Sequence, residues 1–232
     1  MTLLARLLRS KVFAVTVIVL PGLWPVWPIF IRPDPSVLAD PLKFILHHLG
    51  FVACVLLVTV LTFTPLRVLF PRSAVALALN RHRRLVGVSA FVYAALHFCT
   101  HLLYEGGSQL SQIPSILRNA IEKPFQLTGL IALTLLLVLA ATSPHAAVRR
   151  LGGRRWKKLH RLTYLAAALV AYHQAAAHKI FPVQVLWLFA PLVALELLRI
   201  WKQSRPRLPT PPASAPARGL GAPGKAAGPA SE

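Results

Sequence analysis

Arg154-Arg155-Trp156-Lys157-Lys158-Leu159-His160-Arg161-Leu162-Thr163-Tyr164-Leu165-Ala166-Ala167-Ala168-Leu169-Val170-Ala171-Tyr172-His173-Gln174-Ala175-Ala176-Ala177-His178-Lys179 is the stretch that decides the fold. A dense basic cluster runs directly into Leu162–His178, which carries no charged side chain and is mostly apolar. A helix needs about 20 predominantly apolar residues to cross the hydrocarbon core of a bilayer. The segment is therefore read as a membrane span flanked by its interfacial cations. Ala166–Ala168 and Ala175–Ala177 supply small side chains of the kind that let membrane helices approach closely.

The same pattern recurs along the chain. Val12–Ile31, Phe44–Leu66, Leu85–Tyr104 and Phe125–Val148 are free of charge, and Ile180–Leu198 carries only Glu196, one turn from its end. Across all 232 residues, 56% are apolar and only 14% charged, against about a quarter charged in a soluble domain. This excludes a soluble globule, a disulfide-rich secreted domain and a disordered chain. The expectation is an all-α integral membrane protein built as a six-transmembrane-helix bundle. Lys179 and Pro182 leave room only for a tight hairpin between the fifth and sixth spans.

Charge orients the bundle. Of 26 Lys and Arg, 21 fall at the two ends of the chain and in the second-to-third and fourth-to-fifth connections. The other five are Arg32, Lys43, Arg118, Lys123 and Lys179, in the alternate loops. Lys and Arg concentrate on the cytoplasmic side of membrane proteins, so both termini are expected in the cytoplasm. The formal net charge of +20 thus reads as a topology signal and a contact with anionic membrane lipid, not as a nucleic-acid footprint. Residues 1–11 form a short cytoplasmic N-terminus, 12–202 the six-helix domain, and 203–232 a Pro- and Ala-rich tail expected to be disordered. Arg6–Lys11 before an apolar run resembles a signal peptide, but that run is long, rich in Trp and Pro, and followed by Arg32 and Asp34. An uncleaved first helix is expected. In the long outer loop 106–124, Ser115–Glu122 is expected to form a short interfacial helix. Cys54 and Cys99 fall inside apolar runs, and no dinucleotide fingerprint, phosphate loop or nucleophile elbow is found.

Ionisable residues inside membrane helices are costly and point to function. Here they are histidines. His97 stands thirteen residues beyond Arg84 in the third span, and His173 fifteen beyond Lys158 in the fifth. At 1.5 Å per residue both lie about 20 Å from the inner border. Two imidazoles facing each other across a helix bundle are a typical axial pair for a low-spin heme. His160 lies about 20 Å inward of His173 by the same rise and would serve a second, inner heme. On a straight helix, however, His160 and His173 would project about 140° apart. His97 and His101 share one helix face, so spacing alone leaves the third-span ligand open. His47, His48 and His178 read as interfacial residues, and His82 and His145 as solvated loop residues.

The residues also carry a resemblance. Arg83-Arg84-Leu85-Val86-Gly87, Ala95-Leu96-His97, and Leu151 through His173 to Lys179 resemble the heme-binding membrane subunits of bacterial periplasmic methionine sulfoxide reductases, the MsrQ (YedZ) family. Lys123-Pro124-Phe125, Gly129, Asp40-Pro41 and Thr64-Pro65-Leu66 fit the same pattern, over roughly residues 10–202. That family belongs to the ferric-reductase-like transmembrane group. The resemblance implies His97, His160 and His173 as heme-iron ligands for one or two b-type hemes, with FMN as a further cofactor. His101 lies outside the family pattern and stands as a weaker alternative to His97. His82 is a weaker candidate for the inner partner of His160. The resemblance further implies a bacterial inner-membrane protein. It would pass electrons from the quinone pool or a cytosolic flavin reductase to a periplasmic molybdopterin-containing catalytic subunit that repairs methionine sulfoxide. The rival readings are a stand-alone ferric reductase or oxidase of the same fold, and a non-redox transporter whose histidines relay protons. The first usually carries a flavin and nicotinamide domain, and the second paired broken helices in related halves; neither is found.

Overall fold

The computed structural model describes residues 6–107, 109–178 and 182–205, and among these only helices and their connections occur, with no strand. The helices are α1 (Lys11–Leu23), α2 (Pro35–Leu38), α3 (Pro41–Leu69), α4 (Ala74–Arg81), α5 (Arg83–Gly106), α6 (Ile113–Glu122), α7 (Pro124–Ala141), α8 (His145–Leu151), α9 (Gly153–His160), α10 (Leu162–Ala176) and α11 (Val183–Ser204). Four of them, α3, α5, α7 and α11, are long and apolar enough to cross a membrane. The expected first and fifth spans form shorter helices of 13 and 15 residues, α1 and α10.

The shortening of the first span has a cause in the sequence. Proline has no backbone N–H, so Pro21, Pro25 and Pro28 each interrupt the helical ladder. Regular helix ends at Leu23, and the chain continues as a π-helical turn over Trp27–Ile31. Pro25 would leave the carbonyl of Pro21 without its usual partner. His48 Nε2 from α3 reaches that oxygen at 2.6 Å, and the Trp24 N–H also donates to it at 3.2 Å. Freed carbonyls in a bilayer need such substitutes. Two more side chains fasten the same segment. Tyr93 Oη donates to Ile18 O at 2.8 Å, and His82 Nε2 lies 3.0 Å from Leu8 O.

Helix starts follow local chemistry. Ser10, Asp34, Asp40 and Ser73 each cap a helix through a side-chain oxygen. Asp34 accepts from Ser36 Oγ at 2.7 Å and Ser36 N at 2.9 Å, which holds its exposed carboxyl below the usual carboxylate range. Gly152, at φ +73°, ends α8 and starts α9 in a backbone state that favours glycine.

The core sits where α3, α5, α7, α10 and α11 meet. Leu57, Val58 and Leu61 of α3 pack with Ala90, Leu136, Ala166, Ala167 and Leu192. Ala90 and Ala166 are completely buried, which brings their helices close without large side chains. The second alanine cluster, 175–177, does not join this packing; Ala176 and Ala177 are exposed. α3 packs most extensively on α5, and α10 on α7, so the bundle is two helix pairs joined across a cleft. Large apolar side chains such as Val12, Phe30 and Trp187 remain exposed on the outside, as lipid contact requires. The expected outer-loop helix is present as α6, starting two residues earlier than read from sequence. The Pro/Ala-rich tail falls outside the described residues from 206 onward, as does most of the hairpin at 179–181.

Candidate functional site

Between the two helix pairs lies a cavity of about 860 Å³, inside the size range of small-molecule and cofactor sites. Its walls come from α3, α5, α7 and α10, with Ala120 of α6 and Gln184 of α11 at the rim. α3 and α7 run opposite in direction to α5 and α10, so position along each helix gives depth. The lining at one end is polar: Lys43, His47, His101, Glu105 and His178. The other end is apolar, with Leu57, Ala94, Leu133, Leu136 and Val170.

His97 of α5 and His173 of α10 meet in this cavity. Their ring centres are 6.2 Å apart and their planes cross at 80°. Both rings are held at the same atom. His97 Nδ1 lies 2.9 Å from the carbonyl of Leu46 on α3, and His173 Nδ1 lies 2.6 Å from the carbonyl of Phe125 on α7. A carbonyl only accepts, so Nδ1 of each ring carries the proton and Nε2 is left with a free lone pair. That is the tautomer a metal-binding histidine adopts when its second nitrogen is fixed by a backbone oxygen. The spacing also fits a shared ion. Metal–imidazole bonds of about 2 Å on each side place two trans ring centres about 6 Å apart.

The third-span neighbour, His101, lines the same cavity one turn nearer its polar end, four residues from Glu105. His47 and His178, read from sequence as interfacial, form a second ring pair at the polar mouth, 6.0 Å apart with planes at 34°. His48 is occupied with Pro21 O, as described above.

The inner candidate has different surroundings. His160 stacks on Trp156 at 4.0 Å between ring centres, and its Nδ1 lies 3.2 Å from Trp156 O. Trp156 in turn donates Nε1–H to Thr142 O at 2.9 Å, and the Arg83 guanidinium sits 5.9 Å over its ring. A single residue, Arg161, separates α9 from α10, and it keeps a helical backbone at φ −67° and ψ −22°. His82, the expected partner, has no ring contact with His160 among the described residues and bonds Leu8 O instead. His145 is exposed and lies 3.5 Å from Arg84 Nη2.

Sequence reading missed what surrounds the two facing rings. Gly50 stands four residues after Leu46, and Gly129 four after Phe125. A Cβ built on Gly50 would lie 2.9 Å from His97 Nδ1, and one on Gly129 would lie 2.7 Å from His173 Nδ1. The available signal was a glycine inside an otherwise apolar helix, which costs helix stability and so asks for a reason.

Comparison with known proteins bears on this geometry. The family model described as ferric reductase like transmembrane component matches residues 49–171, a range that contains His97 and ends two residues before His173. The Protein-methionine-sulfoxide reductase heme-binding subunit MsrQ of Brucella ovis is 37% identical over 185 residues, covering 80% of this chain and 79% of the relative. The proteins of the same name from Brucella canis and Brucella melitensis match with the same figures.

Proposed function

Because the chain belongs to the MsrQ heme-binding subunits of the ferric-reductase-like transmembrane family, we propose that it is the heme-bearing electron-transfer subunit of a protein-methionine-sulfoxide reductase. It is a multi-pass protein of the bacterial inner membrane. In this reading six segments cross the bilayer, α1 with its π-helical turn and α10 with α9 completing the four long helices, and both termini lie in the cytoplasm.

The single observation that carries the reading is the His97–His173 pair, 6.2 Å apart and tied at both Nδ1 atoms. His97 and His173 would hold one b-type heme through Nε2. Bound there, the heme supplies a one-electron couple within the membrane. The chain's own residues do the rest. The carbonyls of Leu46 and Phe125 fix the tautomers, and the apolar end of the cavity keeps water from the macrocycle. Lys43, His47 and His178 line the polar mouth, where they would pair with anionic groups of a bound cofactor. His101 would lie beside the cofactor, and His160 marks an inner position for a second heme, with His82 as the weaker candidate for its other ligand. FMN enters from family resemblance alone, and no residue is assigned to it.

Electrons would arrive from the quinone pool or a cytosolic flavin reductase and leave from the outer mouth to a periplasmic molybdopterin-containing catalytic subunit. The test is a dithionite-reduced minus oxidised spectrum of the detergent-purified protein. A b-type difference spectrum is expected, and a protein purified from heme-replete cells without one would overturn the reading.

A further inference from the structure

We propose that Gly50 and Gly129 are positioning residues for the two heme ligands, each baring a helix carbonyl so that an imidazole from another helix can seat against it. The proposal rests on the reading of His97 and His173 as heme ligands.

The two seats are built alike. In each, a carbonyl at position i receives the histidine Nδ1–H, and the residue at i+4 on the same helix is glycine: Leu46 with Gly50, Phe125 with Gly129. In a helix the Cα–Cβ bond tilts toward the N-terminus, so the side chain at i+4 lies over the turn that carries carbonyl i. Glycine leaves that oxygen open to a neighbour. The obstruction that any other residue would create is specific to the ligands. The three heavy atoms nearest a Cβ on Gly50 all belong to His97, at 2.9, 3.0 and 3.5 Å, and those nearest a Cβ on Gly129 all belong to His173, at 2.7, 2.7 and 3.2 Å.

A third instance shows that the device follows from geometry and not from a cofactor. On α1, Ile18 O accepts from Tyr93 Oη, and Gly22 stands four residues later, with a Cβ there meeting the Tyr93 ring. Tyr93 precedes His97 by one turn on α5. The same helix thus docks two donors onto two bared carbonyls, one on α1 and one on α3.

Gly87 on α5 provides the contrast. A Cβ there meets only Val60 Cγ2, at an ordinary 3.8 Å. A glycine kept for general packing should tolerate alanine and gain about 1 kcal/mol of helix propensity. Alanine in place of a glycine that seats a ligand should instead displace the imidazole and tilt its Nε2 away from the position it needs to hold the iron.

The experiment compares purified wild type with Gly50→Ala, Gly129→Ala, Gly87→Ala and His173→Ala, reading heme per protein, heme affinity and the ferric spin state by electron paramagnetic resonance. Loss of an outer partner of a metal ligand lowers affinity about 10- to 100-fold, and that loss or a conversion to high-spin iron is expected for Gly50→Ala and Gly129→Ala. Gly87→Ala should match wild type. Wild-type affinity and spectra in both Gly50→Ala and Gly129→Ala, with heme lost from His173→Ala, would overturn the positioning role and leave the ligand reading standing. A wild type without heme would overturn both. Should the glycine variants fail to reach the membrane, the wild-type signal decides. Seats that fix the rings at 80° require the strongly anisotropic low-spin signal of crossed imidazoles, and a signal of parallel rings would sink the proposal.

Discussion

The imidazoles of His97 and His173 face each other at 6.2 Å across a helix bundle, one anchored through Nδ1 to a third helix and the other to a fourth. Four helices, α3, α5, α7 and α10, therefore converge on one pair of rings. The consequence is that either ring can be removed by mutation while its backbone anchor and the surrounding packing remain.

His173→Ala is accordingly expected to remove at least about nine-tenths of the b-type absorbance while the protein stays in the membrane, since losing the side chain that binds the iron costs more than the 10- to 100-fold cost of losing a group that only orients it. Difference spectroscopy on membranes, normalised by immunoblot, checks this. Full heme retention would reassign the ligand.

Much of this arrangement was legible in the sequence, and the residues show why some was not. Charge-free runs place α3, α5, α7 and α11, and Lys123-Pro124 marks the start of α7, because apolarity and proline act locally. The pairing of His97 with His173 follows from depth counted at 1.5 Å per residue. The seats at Gly50 and Gly129 did not follow, since which carbonyl a ring meets depends on the rotation of two helices about their axes. His47 and His178 lie far apart in sequence and meet only because α3 and the end of α10 share the cavity mouth.

Topology gives an independent check. A reporter active only outside the cytoplasm should be silent when fused after residue 202 and active when inserted near Ser111, given the 21-to-5 division of Lys and Arg. The reverse pattern would turn the cavity mouth to the cytoplasm and remove the route to a periplasmic partner.

The fastening of the first helix predicts a stability effect separate from heme. His48 supplies Pro21 O with the donor that Pro25 lacks, at 2.6 Å. A hydrogen bond between membrane helices contributes about 0.6 kcal/mol on average and at most about 1.7. His48→Ala should therefore lower the detergent Tm by a few degrees while leaving heme content unchanged. A loss of heme in that variant would mean that His48, not its neighbour His47, reaches the cofactor.

The last prediction separates the two histidines that spacing could not. His97 and His101 project from one face of α5, about 6 Å apart along the axis. Both line the cavity, but only His97 lies in ring contact with His173 and has its Nδ1 fixed by a backbone oxygen. An axial imidazole has no substitute at its position, so His97→Ala should lose heme or leave a high-spin iron. His101, a turn nearer Glu105 and the polar mouth, touches the heme edge at most, and groups of that kind tune a metal centre without holding it. His101→Ala should therefore keep the low-spin spectrum and at least about half of the heme, with a shifted midpoint potential as its main effect. Redox titration of the two variants beside wild type makes the comparison. A low-spin spectrum retained in His97→Ala and lost in His101→Ala would move the ligand one turn outward and separate it from the Leu46 carbonyl and Gly50.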